Sequence, residues 1–507
     1  MKIKPKPSLA QRAINWAWYR YVAPRRQNHM ARSFEAARRD RLRLGWADRT
    51  SSRSADEEIY RDLAVLISNA REQSINNPYA KRYYTLLKNN VIGPRGMKFQ
   101  SRVKGPDGKP DKFVNELIES GWKQWIKKGS CDVTGRFHFV TFLQLWLETL
   151  ARDGEVLVRE HRGYPNRWGY ALQILECDRL DINYNAELNN GNRIRMSVEL
   201  DEFEKPIAYH LLVSHPGDTT YSWQGREYER VPASELIHTF VPWRPHQTRG
   251  IPWTHAGMVE LHHIGEYRKA ELTKAEETAK SGGFFEQDPE AYDDPPGDDQ
   301  GEIVHDVEAG SYHLLPYGVR FSERKADRAG ANFGAFLKGA VRGVSSAWSM
   351  SYNRLANDLE GVSFSSLRSG ELDERDMFKV IQFFIIQELL DRVSSSWLEM
   401  SLLTQAVPLR VAEFDRLHQP WFQPRGWAWV DPKNDSKAHT EGINNRTRTR
   451  SSIIRDGGED PNDVFDEFEW EEQELERRNL LNETVKKSES DDDEQDEQEE
   501  AGAGKGD

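Results

Sequence analysis

Apolar residues recur three and four positions apart at Ile59, Leu63, Leu66 and Ile67, a spacing that lines one face of a helix. Ser54-Ala-Asp-Glu57 stands just before them as a capping box, in which the hydroxyl and the carboxylate satisfy orphan amides at a helix start. Asn77-Pro78 opens a second helix through Tyr84 and Leu87, to stop before Gly93-Pro94, with Asn as cap and Pro in the first position. Further helices are predicted over Phe113–Ile126 and Val140–Ala151, broken at Asp153-Gly154. The period then shortens. Glu155–Glu160, Leu172–Leu175, Arg193–Leu200, Ala208–Val213 and Glu235–Phe240 read as strands with turn residues between them. Trp253–Lys280 is helical again, and Pro289, Pro295 and Pro296 exclude a helix from the segment 286–301. Short strands near 302–307 and 312–315 precede a helix over Phe333–Leu355 and a Gly/Ser-rich gap over Asp358–Gly370. A long apolar helix then covers Glu371–Thr404, ending before Pro408, and a last one begins near Pro461. The acidic low-complexity tail from Ser488 is expected to be disordered.

Composition adds scale to this pattern. At 507 residues the chain exceeds what one core usually holds. Sixteen tryptophans argue for substantial buried area. The two cysteines, Cys131 and Cys177, are too few to staple such a chain and read as buried free thiols of a reducing compartment. No apolar core follows Lys2, Lys4 and Lys6, so no secretory signal is expected. The richest apolar run, Phe383–Leu390, is too short to span a membrane. The net charge of −12 conceals an asymmetry: residues 1–53 hold 14 Lys/Arg against three acids, and 483–507 hold 11 acids against three lysines. The stretch between carries −15. A basic arm suits nucleic acid or an acidic partner, whereas an acidic body is ill suited to gripping DNA, because grip comes from neutralising phosphates.

Catalytic patterns are missing. The pair Gly108-Lys109 runs into Pro110 without the upstream glycine of a phosphate-binding loop, and reads as a turn. His262 and His263 are adjacent, so they diverge on a helix and lack zinc-ligand spacing. Asp288, Asp293, Asp294, Asp298 and Asp299 do not follow the alternation of a calcium loop, and prolines interrupt them. The expectation is a protein that is not an enzyme, with no cofactor and no metal.

Five stretches, in order, resemble the lambda-like phage portal family. They are Arg32–Ala37 with Gly45-Trp46; Asn76–Ala80 with Asn89–Gly93; Gly250–Trp253; Tyr352–Arg368; and Gly426–Pro432 with Thr447-Arg448, Gly457-Gly458 and Asp460-Pro461. The resemblance spans residues 32–470 and leaves 1–31 and 480–507 uncovered. It implies an α+β portal fold: a mixed α/β wing, helical stem, small β-containing clip and helical crown. The subunits would form a ring of about twelve at one capsid vertex. Laid on that plan, residues 1–53 are the basic arm, 54–250 the wing, 251–283 the first stem helix and 284–328 the clip. Residues 329–356 are the second stem helix, 357–370 the tunnel loop, 371–460 the long wing helix and wing remainder, 461–487 the crown helix and 488–507 the tail.

The function implied is a channel for genome packaging and ejection, an initiator of prohead assembly and a docking site for other assembly proteins. Partners would be other copies of the chain, double-stranded DNA without sequence specificity, the terminase large subunit, major capsid and scaffold proteins, and head-completion or adaptor proteins, with no membrane. Such a protein is assembled in the host cytoplasm and carried in the virion. Asn357, Asp358, Glu360, Gly361, Ser363, Ser365 and Ser366 are the candidates to face DNA in the tunnel loop. Arg12, Arg20, Arg25 and Arg26 are the candidates to contact capsid or scaffold. A nucleic-acid enzyme and a different ring or adaptor protein remain the alternatives.

Overall fold

The computed structural model describes residues 53–218, 227–280, 284–287, 319–322, 333–427 and 432–478. The chain divides into two units, Met1–Glu58 and Ile59–Asp507. Of the first, only the residues that open helix α1 (Ala55–Asn76) are described, and there the Glu57 amide donates to Ser54 Oγ at 3.3 Å. The other described residues belong to the second.

Helix α2 (Pro78–Leu87) begins as its sequence demands. Asn77 Oδ1 accepts from the amides of Tyr79 and Ala80 at 3.0 and 3.3 Å, with Pro78 in the first turn. The helix widens into a π-turn, Lys88–Ile92, and stops at Gly93, whose φ is +70°. Strand β1 (Lys98–Ser101) then leads to α3 (Lys112–Trp125) and α4 (Phe139–Asp153), close to the expected bounds. The turn at Gly105–Lys109 closes through two backbone hydrogen bonds and places Gly108 at φ +76°.

Two antiparallel sheets follow. One has the order β3-β2-β9, from β2 (Glu155–Arg162), β3 (Tyr170–Leu175) and β9 (Leu236–Phe240). The other runs β4-β5-β6-β7-β8, from β4 (Ala186–Glu187), β5 (Arg193–Arg195), β6 (Val198–Leu200), β7 (Pro206–Leu212) and β8 (Tyr228–Pro232). The strand expected over Arg193–Leu200 is a hairpin. Arg195 pairs with Val198 around Met196 and Ser197, at φ +45° and +72°. Neither residue is glycine, so nothing in the local sequence announced the turn.

Beyond the sheets, α5 (Met258–Lys280) packs on α6 (Phe333–Ala347), with Leu261, Ile264, Val341 and Val344 buried. A two-stranded antiparallel ladder joins β10 (Phe284–Gln287) to β11 (Val319–Ser322). The strands expected at 302–307 and 312–315, and the aspartates between 288 and 299, lie outside the described residues.

The helix expected over Phe333–Leu355 breaks after Ala347, because Trp348 turns into the core. Its indole N–H donates to the Ala256 carbonyl at 2.7 Å, its ring lies 5.0 Å from that of Tyr83, and Ser349 takes φ +53°. The chain resumes as the short α7 (Tyr352–Ala356).

Helix α8 (Phe364–Ile385) starts well before the expected Glu371 and passes through a π-turn, Ile386–Leu390, into α9 (Asp391–Leu403). After α10 (Phe414–Leu417), β12 (Pro420–Gln423) returns to pair with β1. Helices α11 (Pro432–Asn444), α12 (Arg450–Asp456) and α13 (Pro461–Arg477) end the described chain.

The main core joins α2, α3, α4, α8 and α9. At its centre lie the rings of Phe99, Trp122, Trp125, Phe139, Trp397 and Phe422, in stacked, edge and tilted contacts. Cys131 and Cys177 are both buried and free, as expected, and burial raises both thiol pKa values, that of Cys131 to about 12. None of the helices in the described residues is long and apolar enough to cross a membrane.

Candidate functional site

The loop between α7 and α8 is shorter than the gap read from sequence. It comprises residues 357–363, and 364–370 belong to α8. Asn357 ends α7 in the left-handed region at φ +54°. Asp358 then folds back on the structure beneath it. Its carboxylate accepts from Tyr352 Oη at 2.8 Å and from the Glu360 amide at 3.0 Å, and Lys338 Nζ of α6 lies 3.4 Å away. The Glu360 amide foremost, then Tyr352 and Lys338, hold this carboxyl below its usual range. Burial, then the bond to Asp358, pushes the Tyr352 phenol up to about 12.

Of the acids proposed to face DNA, Asp358 is therefore engaged in holding the loop's own base. Glu360 and Gly361 are exposed, with Gly361 at φ +68° and open space where a Cβ would stand. Between Asp358 and Glu360 stands Leu359, 63% exposed, an apolar residue among the polar candidates. Ser363 is exposed at the entrance to α8, and Ser365 and Ser366 lie on its first turn. Arg12, Arg20, Arg25 and Arg26 lie outside the described residues.

Three of the quoted motifs meet at the root of this loop. Asn90, buried in the π-turn, donates to the Leu86 carbonyl at 2.8 Å. Its Oδ1 accepts from Arg425 Nη1 and Trp427 Nε1 at 3.3 Å and from Arg354 Nη2 at 3.4 Å. Arg425 also donates to the Asn89 carbonyl. Arg354 of α7 turns its other nitrogen to the buried Glu374 at 2.6 Å, and Glu374 accepts from the Ser351 amide at 2.5 Å. Gln382 of α8 donates to the carbonyls of Val91 and Arg425 at 3.1 and 3.0 Å. Burial, then the neighbouring Arg354 and Arg375, lowers the pKa of Arg425. Helix α7 thus bonds Asn90 directly, and α8 reaches it through Arg354 and Arg425.

Two of the last motif's three glycines, Gly426 and Gly458, have a steric reason. A Cβ on Gly426 would stand 2.3 Å from the Asp456 carbonyl oxygen and 2.5 Å from the Gly458 amide. Gly458 itself adopts φ +85°.

A second polar junction lies between the sheets. Glu155, wholly buried, accepts from Arg249 Nε at 2.8 Å and Nη2 at 2.5 Å, from His238 Nε2 at 2.9 Å and from the Gly250 amide at 2.9 Å. Arg249 gives its remaining donors to the carbonyls of Leu180, Met196 and Cys177. Burial alone would raise the Glu155 pKa, but the Arg249 charge and His238 bring it down to about 2. Next to it the chain crosses itself at Gly154 and Gly250, where a Cβ on Gly250 would meet the Gly154 carbonyl oxygen at 2.2 Å.

Glu176, Asp178 and His215 are the one trio within mutual ligating distance among the described residues, and their bonding opposes a metal. His215 Nδ1 accepts from the Gly217 amide at 3.0 Å, and its Nε2 lies 2.8 Å from Glu176. Asp178 is claimed by Arg71 at 2.5 Å.

Comparison with known proteins names the family. The profile of the phage portal protein, lambda family, matches residues 39–382. The chain is 51% identical over 464 residues to a probable portal protein of Halomonas phage phiHAP-1, covering 90% of this chain and 89% of that one. It is 20% identical over 373 residues to portal protein B of Escherichia phage lambda, covering 67% and 70% of the two chains. Among solved structures, a chain from the neck of an empty GTA particle aligns over 79% of this chain and 94% of its own, at 15% identity and a TM-score of 0.45. The chain belongs to the lambda family of phage portal proteins.

Proposed function

We propose that this chain is the portal subunit of a tailed-phage capsid: a ring at one vertex through which double-stranded DNA is packaged and ejected. In this reading the ring docks the terminase large subunit and later the head-completion proteins. It contacts major capsid and scaffold proteins, starts prohead assembly in the host cytoplasm and stays in the virion. The observation that carries the reading is the family match across residues 39–382, supported by 51% identity to a probable portal protein. The acidic charge between residues 54 and 482 fits a conduit that must let DNA slide.

Within that reading the loop 357–363 is the element that meets DNA. Its base is fixed by Asp358, Tyr352 and Asn90's partners, while Leu359, Glu360 and Gly361 project. Contact through one leucine and one acid is weak and carries no base readout. Deleting Leu359–Val362 in the phage's own portal is expected to leave ring assembly intact and to produce capsids that lose packaged DNA. Full retention of the genome would overturn the gating role.

A further inference from the structure

We propose that copies of this chain join head to tail through a charged seam, in which the Arg446–Arg450 segment of one copy sits on α13 of the next. The proposal rests on the ring reading above and adds where the ring closes.

The basic half is rigid. After α11 the chain reverses at Arg446, φ +56°, and the amides of Thr447 and Arg448 donate to the Gly442 carbonyl at 2.9 and 3.1 Å. Thr449 and Ser452 then form a reciprocal capping box at the start of α12. Three exposed arginines project from this fixed turn. Arg446 and Arg450 have no carboxylate within ion-pair distance among the described residues, and the acid nearest Arg448, Asp456, lies 3.7 Å away.

The acidic half is α13. It carries eight acids against the single Arg477, and among the described residues only Asp463 and Glu474 have cationic partners. Phe468, Glu471, Glu472 and Leu475 follow the i, i+3, i+4, i+7 spacing of one helix face. Phe468 is 54% exposed and Leu475 39% exposed. A face of aromatic and aliphatic groups ringed by carboxylates is matched by arginine, whose planar cation stacks on rings and pairs with acids at once.

Symmetric pairing of α13 with itself would set acids against acids, so its partner must be basic. No ion pair joins residues 446–450 to α13 among the described residues, although α12 and α13 are in contact. Two different complementary patches on one chain make a heterologous contact, the kind that closes into a ring.

The test uses DNA-free full-length chain and reads ring and monomer by mass photometry across a salt series. Arg446→Glu, Arg448→Glu and Arg450→Glu together are expected to raise the concentration for half-assembly about tenfold or more. Glu467→Lys, Glu471→Lys and Glu472→Lys together should do the same. Mixing the two variants should restore rings, because every seam then joins opposite charges. Restoration only when all six changes share one chain would mean pairing within a copy, and would overturn the seam. So would unchanged assembly of the arginine variant. If the arginine variant fails but the α13 variant assembles normally, another acidic surface, such as residues 483–507, takes the arginines and the seam is wrong. A wild-type chain that forms no ring at low salt removes the portal reading itself.

Discussion

Arg249 and Arg446 carry the same charge in opposite circumstances. Arg249 is 1% exposed, faces Glu155 and three carbonyls, and has no donor left for a partner. Arg446 stands in water at the end of a stiff turn with no carboxylate beside it among the described residues. The first arrangement fixes how two sheets and the chain crossing at Gly154 and Gly250 meet. The second leaves charge available to another molecule. Buried charge here serves geometry, and the proposed seam would draw on the exposed, unpaired kind.

The comparison breaks most readily at Arg249. Arg249→Met strands a buried carboxylate, and the urea midpoint should fall by the equivalent of about 4 kcal/mol. If the loss is under about 1 kcal/mol, the junction does not fix the fold.

Acid probes the same pair more gently. Glu155 is depressed from 4.5 to about 2 in the folded chain. Its contribution, on the order of 3 kcal/mol, is fully present above the unfolded value and is lost as pH falls through about 2. Glu155→Gln should flatten the acid limb of a stability–pH curve.

Asn90→Ala removes the acceptor shared by Arg354, Arg425 and Trp427 and should cost about 2 kcal/mol. It should also loosen the loop, read as faster amide exchange at 357–363. Smallest of all, Arg446→Glu with Arg448→Glu and Arg450→Glu should move the unfolding midpoint of the monomer by no more than about 0.5 kcal/mol, even as it disrupts assembly. A large loss of monomer stability would show these arginines to be structural.

How much of this was legible in the sequence depended on range. Caps and breakers act within a few residues, so Asn77-Pro78, Asp153-Gly154 and Asp460-Pro461 marked real boundaries. The pairing of β1 with β12 joins Ser101 to Pro420, too far apart in sequence for any local pattern to reveal. The break at Trp348 was equally hidden, because it depends on Tyr83 and on the Ala256 carbonyl. At the loop, the spacing of serines and acids located the segment but not its roles. Asp358 read as a free charge until Tyr352 and Lys338 were seen to hold it, and Leu359 carried no polar signal at all. Asn90 stood in a quoted motif, but its importance comes from three partners distant in sequence.

The most direct measurement is a cryo-electron microscopy reconstruction of the purified chain at low ionic strength, without imposed symmetry. A closed ring with a central channel wide enough for duplex DNA, lined by residues 357–363, is the predicted result. A compact monomer, or a ring that carries those residues on its outer surface, would contradict it.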